Sequence, residues 1–371
     1  MRELKFYIGA LLFALIFAAY SNVLFAPFVF DDHHFVEASP QVTMQAPISL
    51  HAARAVTLTT YRLNYLFGES NTFGYHLVNV LIHAVNAGLV FALLNGLLRP
   101  VPNSAGLPNR TEIPLSTREA PRALVAQDRS DKDSSTLAAF LAAGIFALHP
   151  LQSEAVTYIS GRPELLMTLF TLLALYGCRH WRLICALCAL LAIMSKESGI
   201  VVIPLVLGYL SSERGLSRRV LVGVGGIGAA LAAYLYSNAH FAPSGRSFIE
   251  HALLQSAQLW HYLTMLVYPV GLSIDHDPAQ FSVTLRVLSL AGTIAAVAVC
   301  AKCDRRCRLL VAFIAISLAP RFLINIPETL AEHHMYLPMV AISGLLALGI
   351  EHLFSRTKES SHGSDIPEAA C

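Results

Sequence analysis

Asp31 and Asp32 stand side by side just after an N-terminal apolar run. Adjacent carboxylates of this kind can act as general base on an acceptor hydroxyl or ligate a divalent cation. Further along come His149-Pro150 with Glu154, Arg162 with Glu164, Lys196-Glu197, Arg321, and Glu332-His333-His334 with Tyr336. Guanidinium and ammonium groups are the usual partners of anionic oxygens, so the dispersed Arg and Lys could hold a phosphate or pyrophosphate. Long apolar segments around such a site could accept a lipid tail. A lipid-linked phosphate donor fits all three features.

The elements that must position these residues are set by composition. The chain has 371 residues, 55% hydrophobic and only 13% charged, whereas a soluble domain carries about 25% charge. A soluble globular enzyme is excluded. The 26 Lys and Arg nearly balance the 24 Asp and Glu, which gives no support to nucleic-acid binding. A bilayer core of about 30 Å needs roughly 20 apolar residues per helix, and apolar runs recur along the whole sequence. The expected architecture is all-α, a polytopic integral membrane protein of about ten transmembrane helices. The spans read as 6–26, 74–98, 137–149, 163–178, 183–194, 198–211, 220–237, 283–301, 309–326 and 339–354.

Orientation follows from the positive-inside rule. With the N-terminus inside, all but seven of the Lys and Arg fall on cytoplasmic segments; the exceptions are Arg54, Arg62, Arg162, Lys196, Arg246, Arg286 and Arg321. These seven share the outer face with the acidic and histidine clusters. Ionisable groups at membrane depth are costly unless paired or functional, so a polar, mixed-charge outer cavity is expected. Short spans such as 183–194 cannot cross the core alone and imply irregular backbone around that cavity. In domain terms, 1–354 form one transmembrane domain, with 99–136 a flexible, Pro-rich cytoplasmic loop. Residues 253–269 read as an interfacial helix with Trp260 and Tyr262 at headgroup level, and 355–371 as a disordered cytoplasmic tail. His76, His83 and Asn86 share one helical face and read as interhelical hydrogen-bonding groups or cavity lining.

In these motifs the sequence resembles the membrane-embedded GT-C glycosyltransferases, and within them the transmembrane-and-TPR-containing O-mannosyltransferases and their bacterial relatives. The matching segments are FVFDD (28–32), YRLNYLFG (61–68), GYHLVNVLIHAVN (74–86), GIFALHPLQSEAVTYISGRPELL (144–166), MSKESGI (194–200) and AEHHMYLP (331–338). They occur in order over most of the chain. The resemblance implies a GT-C-like fold with outer-face loops and interfacial helices, moving mannose or another hexose from a polyprenyl-phosphate donor to a hydroxyl of a protein or glycan acceptor. An inverting direct displacement on the extracytoplasmic face is implied, with no cofactor required. A divalent cation is compatible with the paired carboxylates, but no spacing supports a metal site.

Carried over residue by residue, Asp31 or Asp32 is the base, with Asp31 favoured, and Lys196, Arg162 and Arg321 bind the donor phosphate. His149, Glu154, Glu197, His333, Tyr336 and Arg62 line the cavity. Two departures bear on phosphate binding: His334 stands where the family pattern has Arg, and Arg54-Ala55-Val56 replaces the expected RPL. The TPR array of the eukaryotic members has no counterpart in the polar tail. The expected partners are therefore the lipid-linked donor, an acceptor of open identity and membrane lipids, and the expected location is a bacterial inner membrane, or the endoplasmic reticulum membrane in a eukaryote. The competing reading is a transporter or flippase for a lipid-linked or anionic solute, since broken helices bearing charges also mark transport pathways.

Overall fold

A computed structural model describes residues 2–49, 54–98, 120–178, 181–274 except 216, 220, 227 and 230–244, then 281–324 and 330–362. Every regular element among the described residues is helical. In chain order these are α1 (Arg2–Tyr20), α2 (Ala55–Gly68), α3 (Thr72–Leu97), α4 (Ala120–Leu148), α5 (Ser153–Thr157), α6 (Arg162–Gly177), α7 (Arg182–Ser195) and α8 (Val202–Arg214). They continue with α9 (Phe248–Val267), α10 (Val283–Cys300), α11 (Arg305–Leu323) and α12 (Tyr336–His362).

Among the described residues, three helices are long and apolar enough to cross a membrane: Thr72–Leu97, Val283–Cys300 and Glu332–His352. Ser134–Leu148 and Pro150–Thr157 meet at 53° and make a fourth if taken as one broken span. Tyr7–Val23, Arg182–Ser195 and Glu197–Ser212 are apolar but shorter. The chain is thus a helical membrane protein, with three or four full-length spans among the described residues; the expected total of about ten is not reached by these alone. Of the expected span at 220–237, residues 221–226, 228 and 229 are helical and the rest lie outside the described residues.

The core is built on α3, α4 and α12, whose buried faces meet around Val90, Leu94, Ala142, Phe146, Met339 and Val340. Small residues on α4 (Ala138, Ala139, Ala142, Ala143, Ala147) are all buried there, which lets neighbouring helices approach closely. A polar bridge crosses this apolar core. Asn86 Nδ2 donates to the Tyr336 hydroxyl (3.1 Å), which leaves that hydroxyl to donate to His83 Nδ1 (2.7 Å), while His83 Nε2 donates to the Ala147 carbonyl (2.9 Å). His76 likewise bonds the Ala26 carbonyl. The shared face of His76, His83 and Asn86 is therefore interhelical glue.

Three expectations about segments change. The loop expected at 99–136 ends earlier, because α4 starts at Ala120; residues 99–119 lie outside the described residues. Ala, Arg, Gln and Lys favour helix, so polar residues 120–136 extend an apolar helix without any apolar periodicity of their own. The tail expected to be disordered from 355 is helical to His362, and 363–371 lie outside the described residues. On α9, Tyr262 is not a headgroup anchor: it is buried, its hydroxyl accepting the Ala331 N–H (2.9 Å) and donating to the Ala331 carbonyl (2.8 Å). Trp260 is exposed, its Nε1 on the Ser289 carbonyl.

Candidate active site

A cavity of about 860 Å³ opens where the non-helical joints of the fold converge. Its polar wall carries Asp31, Arg54, Glu164, Lys196, Glu197 and Arg321, with His333 and His334 beside them. Phe35, Met167, Val201, Ile324 and Leu337 form an apolar side. The backbone is bent to bring these groups together. Phe30, immediately before Asp31, has φ +47°, and Arg54 has φ +65°, a region that costs a non-glycine residue about 1–3 kcal/mol and collects at functional sites. Lys196 is extended between α7 and the short 3₁₀ turn Glu197–Val201, which turns consecutive residues into the cavity. Gly199 makes that break feasible, since a Cβ there would run into the Ala192 carbonyl. Gly161 does the same against the Ala155 carbonyl, one residue before α6.

Asp31 and Asp32 part company. Asp31 is exposed on the cavity wall, and its backbone N–H donates to the Tyr158 hydroxyl (2.9 Å). Asp32 is fully buried. Its Oδ1 accepts from the Ser160 N–H (2.7 Å) and Ser160 Oγ (2.6 Å), and its Oδ2 accepts from the Val29 N–H (3.2 Å). Burial pushes the Asp32 carboxyl above its ordinary value, against the opposing pull of the Ser160 and Val29 hydrogen bonds. Burial, then the charges of Asp31 and Asp32, push the Tyr158 phenol up as well, so it stays protonated. Asp32 thus clamps the first loop onto 158–160, and Asp31 is the member left facing the cavity.

Across the cavity the charges pair in twos. Lys196 Nζ donates to Glu164 Oε1, and Arg54 Nε lies 3.2 Å from both oxygens of Glu197. His334 Nδ1 is 3.5 Å from the same Glu164 oxygen. His333 lies against His334, ring centroids 4.1 Å apart and planes tilted by 54°, and its Nδ1 lies 2.6 Å from Glu154 Oε1. Glu164, His333 and His334 bring three ligand-type atoms within 4.8 Å of one another. The carboxylate of that set is already neutralised by Lys196, and Arg54 and Arg321 share the wall. The wall's three carboxylates, Asp31, Glu164 and Glu197, are matched by Lys196, Arg54 and Arg321, so no excess of negative charge is left to hold a divalent cation.

Of the residues singled out from sequence, Asp31, Lys196, Glu197, Arg321 and His333 meet on this wall. The others stand behind it or away from it. Arg162 is fully buried over the Tyr61 ring, 4.5 Å to its centroid. Its Nε donates to Asn79 Oδ1 (2.7 Å), and its terminal nitrogens donate to Asn64 Oδ1 (2.6 Å) and the Tyr75 carbonyl (2.8 Å). These bonds consume its fork inside the protein, so a phosphate role does not fit it. Arg62 pins the first loop through the carbonyls of Gln41 and Ala46. His149 caps the turn after α4, accepting the Leu151 N–H at Nδ1 and donating from Nε2 to the Leu266 carbonyl. Tyr336 belongs to the core bridge, and Glu154 backs His333. Arg54, Glu164, His334, Tyr158 and Ser160 join the wall instead. Sequence marked Glu164 as an outer-face charge and Arg54 and His334 as departures from the family pattern, while Tyr158 and Ser160 lay within a matching segment without being singled out.

The chain is 27% identical to a protein O-mannosyl-transferase of Caenorhabditis elegans over 91% of its own length and 50% of that protein. It is 30% identical to protein O-mannosyl-transferase Tmtc1 of Drosophila melanogaster over 50% of this chain and 21% of the relative. Protein O-mannosyl-transferase TMTC3 of Mus musculus is 29% identical over 47% of this chain and 17% of its own. The chain therefore spans half the length of the first of these relatives and about a fifth of the others. No family model matches it, and no solved structure does.

Proposed function

We propose that this relative of the protein O-mannosyl-transferases is a GT-C-type glycosyltransferase that moves mannose from a polyprenyl-phosphate donor to an acceptor hydroxyl on the extracytoplasmic side. The observation that carries the reading is one cavity in which an open carboxylate, three cationic side chains and an apolar side meet. Lys196 and Arg321, with Arg54 beside them, hold the anionic phosphate, while Phe35, Met167 and Leu337 receive the first isoprenoid units. The Asp31 carboxylate takes the proton of the acceptor hydroxyl, whose oxygen attacks C1 from the face opposite the phosphate. The C1–O bond breaks with its electron pair on the phosphate, and the cations stabilise that developing charge. One displacement inverts the anomeric centre.

Glu164 and Glu197 keep Lys196 and Arg54 in place before the donor arrives, so that phosphate exchanges with carboxylates already desolvated in the cavity. The test is release of free polyprenyl phosphate by the purified full chain, supplied with a polyprenyl-phosphate mannose and a serine/threonine-rich peptide. Release dependent on the peptide, and lost in the double variant Lys196→Ala/Arg321→Ala, is expected. Movement of intact donor across a proteoliposome membrane without release would favour the flippase instead.

A further inference from the structure

Both oxygens of Glu154 meet His333, and the Glu332 backbone also bonds this carboxylate. Oε2 accepts the His333 backbone N–H (2.8 Å) and Oε1 faces His333 Nδ1 (2.6 Å). The carboxylate is buried, whereas the His333 ring lines the cavity. An ionised carboxylate only accepts hydrogen bonds, so Nδ1 carries a hydrogen, and Nε2 is the ring nitrogen left for the cavity. A buried carboxylate is costly without a compensating charge, and an imidazolium at 2.6 Å provides one.

The other charged and titratable groups around the ring pull both ways. Arg321, Lys196 and Arg54 on the same wall oppose a positive charge, and the adjacent His334 competes for it. Glu164, shared between Lys196 and His334, and Asp31 across the cavity favour it. Glu332, also acidic, is turned to the Ser273 N–H (2.9 Å). The ring thus has neighbours of both signs, and imidazole as a side-chain type is the one whose charge can change between about pH 5 and 8.

We propose that His333, oriented by Glu154, is a proton-gated ligand of the donor phosphate, donating from Nε2 as an imidazolium and releasing the phosphate as it deprotonates. This rests on the donor assignment above. His333 touches the leaving group and shares its developing charge with Lys196 and Arg321; Glu154 is a positioning residue that acts only through His333.

The test is equilibrium binding of a polyprenyl-phosphate mannose to the full-length protein in detergent micelles, without acceptor, across roughly pH 5.5 to 8.5. This phosphodiester keeps one negative charge over that range, so any pH dependence belongs to the protein. A charge-assisted hydrogen bond of about 1.5–3 kcal/mol corresponds to roughly ten- to hundredfold in affinity. Wild-type affinity is expected to fall by that order as pH rises. His333→Ala should bind weakly at all pH values, His333→Gln should lie between the two with no pH slope, and Glu154→Gln should move the fall to lower pH. A flat wild-type profile, or a wild-type slope retained in His333→Gln, overturns the proposal while leaving the donor assignment standing. No binding by wild type at any pH overturns both. Should the His333 variants fail to fold, the shift between wild type and Glu154→Gln decides.

Discussion

The segments behind the cavity and the wall in front of it use the same residue types to opposite ends. Behind, around 158–162, Arg162 is stacked on Tyr61 and bonded to Asn79, Asn64 and the Tyr75 carbonyl, and Asp32 accepts three hydrogen bonds. In front, Asp31, Lys196, Glu197 and Arg54 meet single partners or face open space. The difference is how far each group's bonding capacity is spent on the protein itself. A fully bonded guanidinium or carboxylate fixes backbone; a singly paired one at an open surface can exchange its partner for a substrate group. The bonds of Asp32 to Val29 and Ser160 fix the backbone on either side of Phe30, and with it the position of Asp31 on the wall.

Substitution can break that contrast where it is sharpest. Arg162→Ala leaves the Asn79, Asn64 and Tyr75 acceptors without their donor, at about 1–3 kcal/mol for each that stays unbonded, and thermal unfolding in detergent should show loss of the folded state. Lys196→Ala leaves the buried Glu164 carboxylate without its partner, so it should cost about 3 kcal/mol in the same assay and should also remove donor binding. Gly199→Ala forces a Cβ into the Ala192 carbonyl and should destabilise by about 1–3 kcal/mol, with activity falling because Lys196 and Glu197 are displaced.

The adjacent aspartates sharpen the comparison. Asp32→Asn keeps an oxygen for Ser160 but turns an amide N–H₂ against the Val29 N–H, and should cost about 1–3 kcal/mol. Its pH behaviour has a definite sign. Because burial raises the folded-state value of Asp32, the folded protein holds this proton more tightly than the unfolded chain. Its contribution is fully present below the ordinary carboxylate value and is lost as pH rises through the raised one. Unfolding measured over that window should show the slope in wild type and not in Asp32→Asn. The smallest effect belongs to Tyr158→Phe, which removes the hydroxyl accepting the Asp31 N–H. Stability should change by about 1 kcal/mol, and turnover should fall several-fold as the first loop loosens.

Sequence reading reached the set of segments more fully than the set of side chains. Asp31, Lys196, Glu197, Arg321 and His333 come from four separate stretches and share one cavity, because charges placed on one side of apolar helices have little else to surround. Helix ends were legible for the same reason: 163–178 and 183–194 correspond to Arg162–Gly177 and Arg182–Ser195. Which member of a charged pair faces the cavity was not legible, since adjacent residues in a turn carry no periodicity. Arg162 illustrates the limit. Its partners Asn64, Asn79 and Tyr75 lie on helices about 80 to 100 residues away, so its charge was visible and its enclosure was not. Ser160 and Tyr158 act through hydroxyls that no motif distinguishes, and the helical start at Ala120 reflects continuation of a packed helix into residues whose pattern is polar throughout.

The division of labour between the two aspartates is most directly tested by measuring donor binding and turnover together in Asp31→Asn. Binding of a polyprenyl-phosphate mannose should match wild type, since Asp31 is not among the cationic side chains, while peptide-dependent release of polyprenyl phosphate should fall by about a hundredfold or more, the scale of a lost general base. Turnover within a few-fold of wild type, with binding intact, would remove Asp31 from the chemistry and with it the distinction drawn between the open wall and the bonded shell behind it.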